Sequence, residues 1–188
     1  SENIKIPKDL KKISSDFDAN FLNSGAMIND KVETFKVIPN YKGTFIKLSD
    51  ILQMSDIEEE FYISKKDESK WKEHKGAKKI TRMTKEGFEY NFSEGSMCFP
   101  DNLDKPSRTI ITSEGGNTAS RFKHVVEHAG KLRRLTPLEL ERLNMFPDNF
   151  TQLDDITNTK RAFFMGNALV IGIVEKLGKS LSSHISKL

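Results

Sequence analysis

The chain has 188 residues, of which 36% are hydrophobic and 30% are charged, and its formal net charge at pH 7 is +3. These proportions are typical of a folded, water-soluble protein, and no apolar run approaches the roughly 20 residues that a membrane span requires. Cys98 is the single cysteine, so an internal disulfide framework is excluded and a reducing compartment is expected.

Positive charge is concentrated in two segments of the chain. Residues 65–85 carry nine Lys or Arg against three acids, and residues 105–134 carry seven against two. The rest of the chain is therefore acidic. Clustered positive charge on a nearly neutral chain is typical of a surface that binds a polyanion, although a lysine-rich solvated surface gives the same pattern. Charge alone leaves both interpretations open.

The first 60 residues give weak local signals. Polar and glycine residues interrupt every periodic run before residue 45, which predicts an extended lead-in with one strand at Thr34–Ile38. Leu48–Glu60 has an apolar side and predicts a helix capped by Ser49. The charged segment Lys65–Lys79 is predicted to be a loop around Gly76.

Short strands and then helices are expected from Ile80 onward. Alternating residues predict strands at Phe88–Phe92 and Thr109–Ile111. The stretch TSEGGNTAS separates RTII from FKHVV, which predicts a long glycine-containing hairpin or recognition loop. Two helices follow, at Thr136–Phe146 and from near Asn167. The pattern indicates an α+β fold with a small twisted sheet followed by C-terminal helices.

The stretch RRLTPLELERLNMFPDNF, residues 133–150, specifies its helix at both ends. Thr136 is a suitable N-cap, Pro137 follows at the first helical position, and Glu139 completes a T-x-x-E capping box. Pro147 ends the helix. A short helix that is placed so firmly, with two arginines at its entrance, is typical of a rigid support for a functional surface.

Three enzymatic motifs are considered and rejected. HVVEH at His124–His128 matches the H-x-x-E-H pattern of zinc peptidases, which requires a helix, whereas the central valines favour a strand that would separate the histidines by about 13 Å. Cys98 has no neighbouring His or Lys to lower its pKa. SEGG at 113–116 lacks the Lys-Ser/Thr of a nucleotide P-loop. No acid–base pair or triad is evident.

Three stretches together resemble the C-terminal third of the DNA cytosine-5 methyltransferases. KPSRTIITSEGG is similar to the Thr-Leu/Ile signature and Gly-Gly loop of their target-recognition region, and FMGNALVIGIVEKLGKSL is similar to their closing G-N-A/S-V block. The third stretch, at 133–150, is similar to their R-x-L-T-P-x-E-x-x-R-L-x-G-F-P-D block, with Met145 in place of the usual glycine. The residues that match this block are Arg133, Leu135, Thr136, Pro137, Glu139, Arg142, Leu143, Phe146, Pro147 and Asp148.

The resemblance implies a chain without the catalytic part of the family. The F-x-G-x-G-G loop, Pro-Cys nucleophile, Glu-Asn-Val triplet and Arg-x-Arg pair of the large domain do not occur in this sequence. We therefore expect no catalytic residue here and no Rossmann-like large domain. Residues 1–47 would be a lead-in from that domain, 48–134 the target-recognition region, and 135–188 the C-terminal helical blocks. The chain is then either a fragment or one subunit of a split enzyme.

Family members flip a cytosine out of double-stranded DNA and transfer a methyl group to its C5 from S-adenosylmethionine. By resemblance, Asn167 and Ala168 would line the cofactor pocket. Arg133 and Arg134 would either reach phosphates or hold the recognition loops through carbonyls, and Thr109 would lie near the DNA backbone. The complete set of expected DNA-binding residues is Arg108, Thr109, Ser113, Gly115, Gly116, Asn117, Arg121, Arg133 and Arg134.

Partners are implied in the same way. The chain would bind DNA in a bacterial or phage-infected cytoplasm and dock on a catalytic large domain or subunit. The apolar side of the last helix, Leu169 to Leu181, would be partly uncovered and could mediate self-association. The alternative functions are a DNA-binding module that is not an enzyme and, much more weakly supported, a zinc peptidase.

Overall fold

The computed structural model describes residues 2–5, 8–9, 21–29 and 31–187. It divides the chain into two compact units, Ser1–Thr44 and Phe45–Leu188. The parts of the predicted lead-in at residues 1, 6–7, 10–20 and 30 lie outside the described residues.

The first unit contains an antiparallel three-stranded sheet. Its strands are β1 (Glu2–Lys5), β2 (Ser24–Ile28) and β3 (Lys31–Phe35), in the order β1-β3-β2. The strand predicted at Thr34–Ile38 therefore begins and ends earlier than expected, and β1 and β2 were not predicted. All residues of β2 are exposed, so this strand needs no alternation of apolar and polar residues, and its sequence shows none that would have predicted it.

The core of the second unit joins residues from distant parts of the chain. Leu48, Ile51 and Leu52 pack with residues from both of the segments expected in the sequence, 48–134 and 135–188. The other buried members of this core are Val126, Leu135, Leu140, Ala162 and Met165. Segments 48–134 and 135–188 thus share one core.

The predicted helix at Leu48–Glu60 is reduced to one turn, α1 (Leu48–Ile51), followed later by a 3-10 turn at Glu59–Phe61. Its cap is Lys47 rather than Ser49, and the Asp50 carboxylate accepts a hydrogen bond from the Lys47 N–H at 2.8 Å. Beyond Ile51 the Leu52 N–H still bonds Ser49 O, but the Gln53 N–H has a tertiary partner, Glu139 Oε1, at 2.7 Å. Tertiary contacts therefore override the helical pattern.

Residues 65–75 form a helix, α2 (Lys65–Lys75), so the prediction of a loop at Lys65–Lys79 was wrong for most of its length. Acidic residues occupy its first turn and basic residues its last turn, which suits the helix dipole. Trp71 is its only large apolar residue, and it is buried. One apolar residue gives no periodicity, which explains why the sequence pattern failed.

Two separate hairpins replace the single sheet that the sequence predicted for this unit. β4 (Lys78–Met83) pairs with β5 (Glu89–Glu94), which overlaps the strand predicted at Phe88–Phe92. β6 (Val126–His128) pairs with β7 (Lys131–Arg133). The predicted strand at Thr109–Ile111 is irregular in the structure, because its backbone turns into the following loop instead of joining a sheet.

Three helices end the chain. α3 (Pro137–Leu143) has the predicted capping box, with the Glu139 N–H bonding Thr136 Oγ1 and the Thr136 N–H bonding Glu139 Oε2. α4 (Asn158–Asn167) was not predicted, and α5 (Ile171–Ile185) begins four residues later than expected. In the part of the chain that the structure describes, no helix is long and apolar enough to cross a membrane.

Candidate nucleic-acid interface

The expected recognition loop, residues 112–120, lies directly against helix α4. A Cβ placed on Gly115 would lie 2.8 Å from both the Ala162 Cβ and the Thr159 Cα. A Cβ on Gly166 would overlap the backbone of Thr112. Both glycines therefore serve the close approach of loop and helix. For Gly115 this differs from the expected role of approaching DNA, because the space that a side chain would occupy is filled by α4.

Buried cations hold the loop through its carbonyl oxygens. Lys123 Nζ donates to Gly116 O at 2.9 Å and to Thr118 O at 2.8 Å. Arg134 donates to Gly115 O at 2.8 Å and to Glu60 O at 2.5 Å. Both cations are almost fully buried. The loop backbone is thus fixed by charge-assisted hydrogen bonds at three of its carbonyl oxygens.

Glu114 and His124 connect the two ends of the loop. The Glu114 carboxylate accepts from the His124 backbone N–H at 3.0 Å, and it contacts His124 Nδ1 at 2.9 Å. The other ring nitrogen, Nε2, lies 3.1 Å from Ser107 Oγ. His124 and Glu114 are buried, so this chain of contacts is internal and serves the position of the loop.

Arg108 precedes the recognition loop in the sequence, and Asp101 holds its side chain. Its Nε and Nη2 donate to the two Asp101 oxygens at 2.7 and 3.0 Å, and its Nη1 donates to Phe122 O at 3.0 Å. The side chain nevertheless keeps 31% of its surface exposed. Burial raises the pKa of Asp101, but hydrogen bonds from Arg108 and from the Val125 N–H outweigh this and hold the pKa below its usual value.

Arg121 joins the loop to the β4–β5 hairpin. Its guanidinium donates to Gly76 O at 2.8 Å and to Gly95 O, and its Nε lies 3.5 Å from Glu94 Oε2. Gly76 and Gly95 flank the hairpin, one before β4 and one after β5. The side chain is only 11% exposed. Arg121, which was expected to bind DNA, thus binds the backbone at both ends of the hairpin.

Arg133 is fully buried and forms an ion pair with Glu139. Its Nη1 and Nη2 donate to the two Glu139 oxygens at 2.8 and 2.7 Å, and both side chains have 0% of their surface exposed. No guanidinium surface is left for a phosphate, so the expectation that Arg133 reaches a phosphate was wrong. Arg134 binds carbonyl oxygens, which is the other role expected for these two arginines.

The exposed members of the predicted set are Thr109, Ser113 and Asn117. Gly116 is partly buried, and a Cβ there would lie 3.0 Å from Lys123 Nζ, the movable end of a side chain. Sequence reasoning missed the supporting residues Lys75, Lys123, Glu114 and Asp101. Their principal partners are 5 to 48 positions away in the sequence and follow no helical or strand periodicity, so no local pattern indicated them.

Burial dominates the electrostatics of the supporting cations. It lowers the pKa of Lys75, whose Nζ donates to Lys123 O, to about 8. It also lowers the pKa values of Lys123 and Arg134 below their usual values. Removing these cations from water is unfavourable, and the carbonyl oxygens they bind offset that cost only in this loop conformation.

The C-5 cytosine-specific DNA methylase family matches residues 5–183 of this sequence. The chain belongs to that family. It is 40% identical over 176 residues to the Type II methyltransferase M.Sau3AI of Staphylococcus aureus, and this match covers 94% of the chain and 41% of the relative. The chain therefore spans less than half the length of that methyltransferase.

Two solved methyltransferase structures share the fold. The methyltransferase EhMeth of Entamoeba histolytica matches with a TM-score of 0.51 and 16% identity, over 82% of this chain and 47% of that one. The Dnmt2 methyltransferase of S. pombe matches with a TM-score of 0.52 and 13% identity, over 83% and 51% of the two chains. At such identities the likeness concerns the fold alone.

Met145, which departs from the family pattern, ends α3 in a left-handed conformation with φ +62°. The Met145 N–H bonds Arg142 O and the Phe146 N–H bonds Glu141 O, both at 2.9 Å. These two bonds form a Schellman motif, in which glycine is the usual residue. The structure therefore explains why a glycine is usual here in a methylase of this family.

The two residues expected at the cofactor pocket lie at the end of α4. Asn167 is exposed, and its amide nitrogen donates to Phe163 O at 2.9 Å. Ala168 is partly buried against the core. The side chain of Phe163, whose carbonyl accepts this hydrogen bond, is 50% exposed.

The histidine motif has no metal-binding arrangement in the described residues. His124 faces Glu114 and Ser107, and His128 lies in strand β6, so the prediction of a strand in this motif is confirmed for Val126–His128. Among the described residues, no group of three His, Cys, Asp or Glu side chains is placed to hold a metal ion.

Proposed function

We propose that this chain is the target-recognition and C-terminal part of a bacterial or phage-type DNA cytosine-5 methyltransferase of a restriction-modification system, acting on DNA in the cytoplasm. It contacts double-stranded DNA through the recognition loop at 112–120 and the residues that flank it, and it forms the active enzyme together with a catalytic large domain or subunit. The chain alone does not transfer methyl groups, since its sequence contains none of the large domain's catalytic motifs.

The observation that carries this proposal is the fixed backbone of the recognition loop. Lys123 and Arg134 bind its carbonyls from the protein interior, and Gly115 lets it rest on α4. With its backbone held from one side, the loop presents Thr109, Ser113 and Asn117 to solvent. Hydroxyl and amide groups on a fixed backbone are suited to reading base edges and phosphates.

Arg134 and Arg121 enter this proposal as positioning residues, and Arg108 as a partly exposed donor. An arginine side chain that is 31% exposed while its guanidinium is held by Asp101 has a defined direction, and its remaining N–H is available to a guanine edge or a phosphate. Arg133 acts within the protein, through Glu139 and the cap of α3.

S-adenosylmethionine supplies the methyl group in the reaction proposed. Asn167 and Ala168 would hold one side of it, with the Asn167 amide orienting its polar groups. The side-chain N–H of Asn167 donates to Phe163 O, and this hydrogen bond fixes the orientation of the side-chain carbonyl oxygen at the end of α4. The catalytic half would provide the remaining walls.

The test is reconstitution with a catalytic half. The portion of M.Sau3AI that this chain does not match is produced separately, mixed with the chain, and assayed for methyl transfer to DNA from labelled S-adenosylmethionine. We expect transfer only from the mixture. Transfer by the isolated chain, or DNA binding with no transfer from any mixture that forms a stable complex, would contradict the proposal. The second result would favour a DNA-binding module that is not an enzyme.

A further inference from the structure

The β4–β5 hairpin has two chemically different faces. Cross-strand pairing places Ile80 opposite Phe92 and Arg82 opposite Tyr90 on one face. On the other face, Thr81 lies opposite Asn91 and Met83 opposite Glu89. We call the first the aromatic face; it consists of Lys78, Ile80, Arg82, Tyr90, Phe92 and Glu94.

The aromatic face is uncovered. Ile80 is 44% exposed and Tyr90 is 45% exposed. The Arg82 guanidinium lies 3.7 Å from the centre of the Phe92 ring, in a cation–π contact that fixes it above the face. An arginine held on a ring, beside an exposed tyrosine and an exposed aliphatic side chain, offers both hydrogen-bonding and apolar contacts.

The charge on this face is positive. Lys78 and Arg82 are its cations, and its single acid, Glu94, lies 3.5 Å from Arg121 Nε. Glu89 lies on the opposite face. The lysines of α2 precede the hairpin and add positive charge at its base. The face therefore complements a polyanion.

The hairpin is tied to the recognition loop at its base. Arg121 donates to Gly76 O and Gly95 O, and Lys75 Nζ donates to Lys123 O. The Met97 N–H also bonds Lys75 O at 2.8 Å, which closes the two flanks of the hairpin. Loop and hairpin are thus linked through residues 121–123.

We propose that the aromatic face of the β4–β5 hairpin is a second DNA-reading surface, which enters the major groove next to the base pairs contacted by the loop. A two-stranded ribbon fits the major groove, where arginine reads guanine and apolar side chains contact the thymine methyl group. Arg82 and Tyr90 make the contacts, and Arg121 positions them. This inference rests on the proposed function, since it assumes that the chain binds DNA.

The experiment compares matched substitutions on the two faces. A duplex is selected from a random-sequence pool with the chain and its catalytic half, and binding to that duplex and to an unselected one is measured for each full-length variant. Arg82→Ala and Tyr90→Ala alter the aromatic face. Lys79→Ala and Asn91→Ala alter the same two strands on the opposite face, and Lys79→Ala removes the same charge as Arg82→Ala.

We expect Arg82→Ala to weaken binding to the selected duplex about tenfold more than binding to the unselected one. Lys79→Ala should weaken both by the same small factor, as loss of one non-specific charge does. Arg121→Lys keeps a cation at the base of the hairpin, but a lysine cannot bind both Gly76 O and Gly95 O. This variant should lose discrimination between the two duplexes to a similar degree as Arg82→Ala.

Equal effects of Arg82→Ala and Lys79→Ala on both duplexes would overturn the inference and leave only general charge attraction. A variant with unchanged DNA binding but an altered oligomeric state in light scattering would also overturn it, and would assign the face to a second copy of the chain. In both cases the wild-type complex still binds and methylates DNA. Failure of the wild-type complex to do so would instead reject the proposed function.

Discussion

Arg133 and Arg134 are neighbours in sequence but have separate roles. Arg133 is paired with Glu139 in a site with no exposed surface, and Arg134 holds Gly115 O at the recognition loop. Breaking a buried ion pair leaves an uncompensated charge. We therefore expect Arg133→Met to lower the free energy of unfolding by about 3–5 kcal/mol, measured by denaturant titration.

A double variant checks that the pair itself is responsible. Glu139→Gln keeps an acceptor for the Thr136 N–H but removes the charge, so Arg133→Met combined with Glu139→Gln should recover part of the stability lost in the first variant. Arg134→Ala should lower DNA affinity more than Arg133→Met under conditions in which both variants are folded. The reverse order of affinities would show that Arg133 is the residue that positions the loop.

Met145 carries a conformational cost at the end of α3. Its φ of +62° is unfavourable for a side chain with a Cβ, and glycine removes that cost. Met145→Gly also loses a contact with Gly172, although the methionine is 50% exposed. We expect a net gain of about 0.5–1 kcal/mol in the free energy of unfolding. Asn149, with φ +61°, provides a control, because Asn tolerates this conformation and Asn149→Gly should change stability less.

At the scale of elements, the contact between loop and helix α4 depends on small residues. Gly115→Ala places a Cβ 2.8 Å from the backbone of Thr159, and a helix backbone cannot yield locally. We expect a loss of about 1–3 kcal/mol in stability, as in other overpacked sites, together with weaker DNA binding.

Gly116→Ala is the matched control for this contact. Its new Cβ meets the flexible end of the Lys123 side chain at 3.0 Å, where a shift of a few tenths of an ångström suffices, and Ser113 O at 3.5 Å, which is an ordinary contact. Its effect on stability should stay within about 1 kcal/mol. Equal losses from Gly115→Ala and Gly116→Ala, measured by thermal unfolding, would mean that α4 does not set the position of the loop.

The same elements show how far sequence reasoning reaches. Helix α3 was predicted well because its cap, its first-turn proline and its Glu139 lie within four positions of one another. Helix α2 was missed because it buries a single Trp71 and has no apolar stripe. The strand expected at Thr109–Ile111 was lost to a turn, in which the Glu114 N–H bonds the Ile111 carbonyl at 3.1 Å. The Glu114 carboxylate is held by the His124 N–H, ten positions away, which is a contact that no local pattern encodes.

The candidate site was likewise predicted only in part from the sequence. Family resemblance indicated the segment that contains the loop, and the polar residues Thr109, Ser113 and Asn117 are exposed in it. It could not indicate that Arg121 and Lys123 face inward. Arg121 binds Gly76 O, 45 positions away, and Lys123 binds carbonyl oxygens of the folded loop itself. The sign of a charge is visible in a sequence, but the direction in which it points is a tertiary property.

At the scale of the whole molecule, helix α5 carries an exposed apolar stripe. Leu177 is 65% exposed and Leu181 is 61% exposed, and both continue the stripe that begins at Val174. Soluble proteins rarely leave such a stripe in water. We expect the isolated chain to self-associate through this helix at micromolar concentration, as measured by light scattering coupled to size-exclusion chromatography.

Replacing Val174, Leu177 and Leu181 together with Gln tests that expectation. Because the three side chains are exposed, the substitutions should change the free energy of unfolding by no more than about 0.5 kcal/mol each, while the self-association is lost. Glu175→Gln with Lys179→Gln removes the ion pair elsewhere on the same helix and should leave the oligomeric state unchanged. A large loss of stability in the triple variant would show that the stripe packs on the chain's own core. If instead stability is kept and reconstitution with the catalytic half fails, the stripe is the surface on which that half docks, and self-association of the isolated chain is a substitute for it.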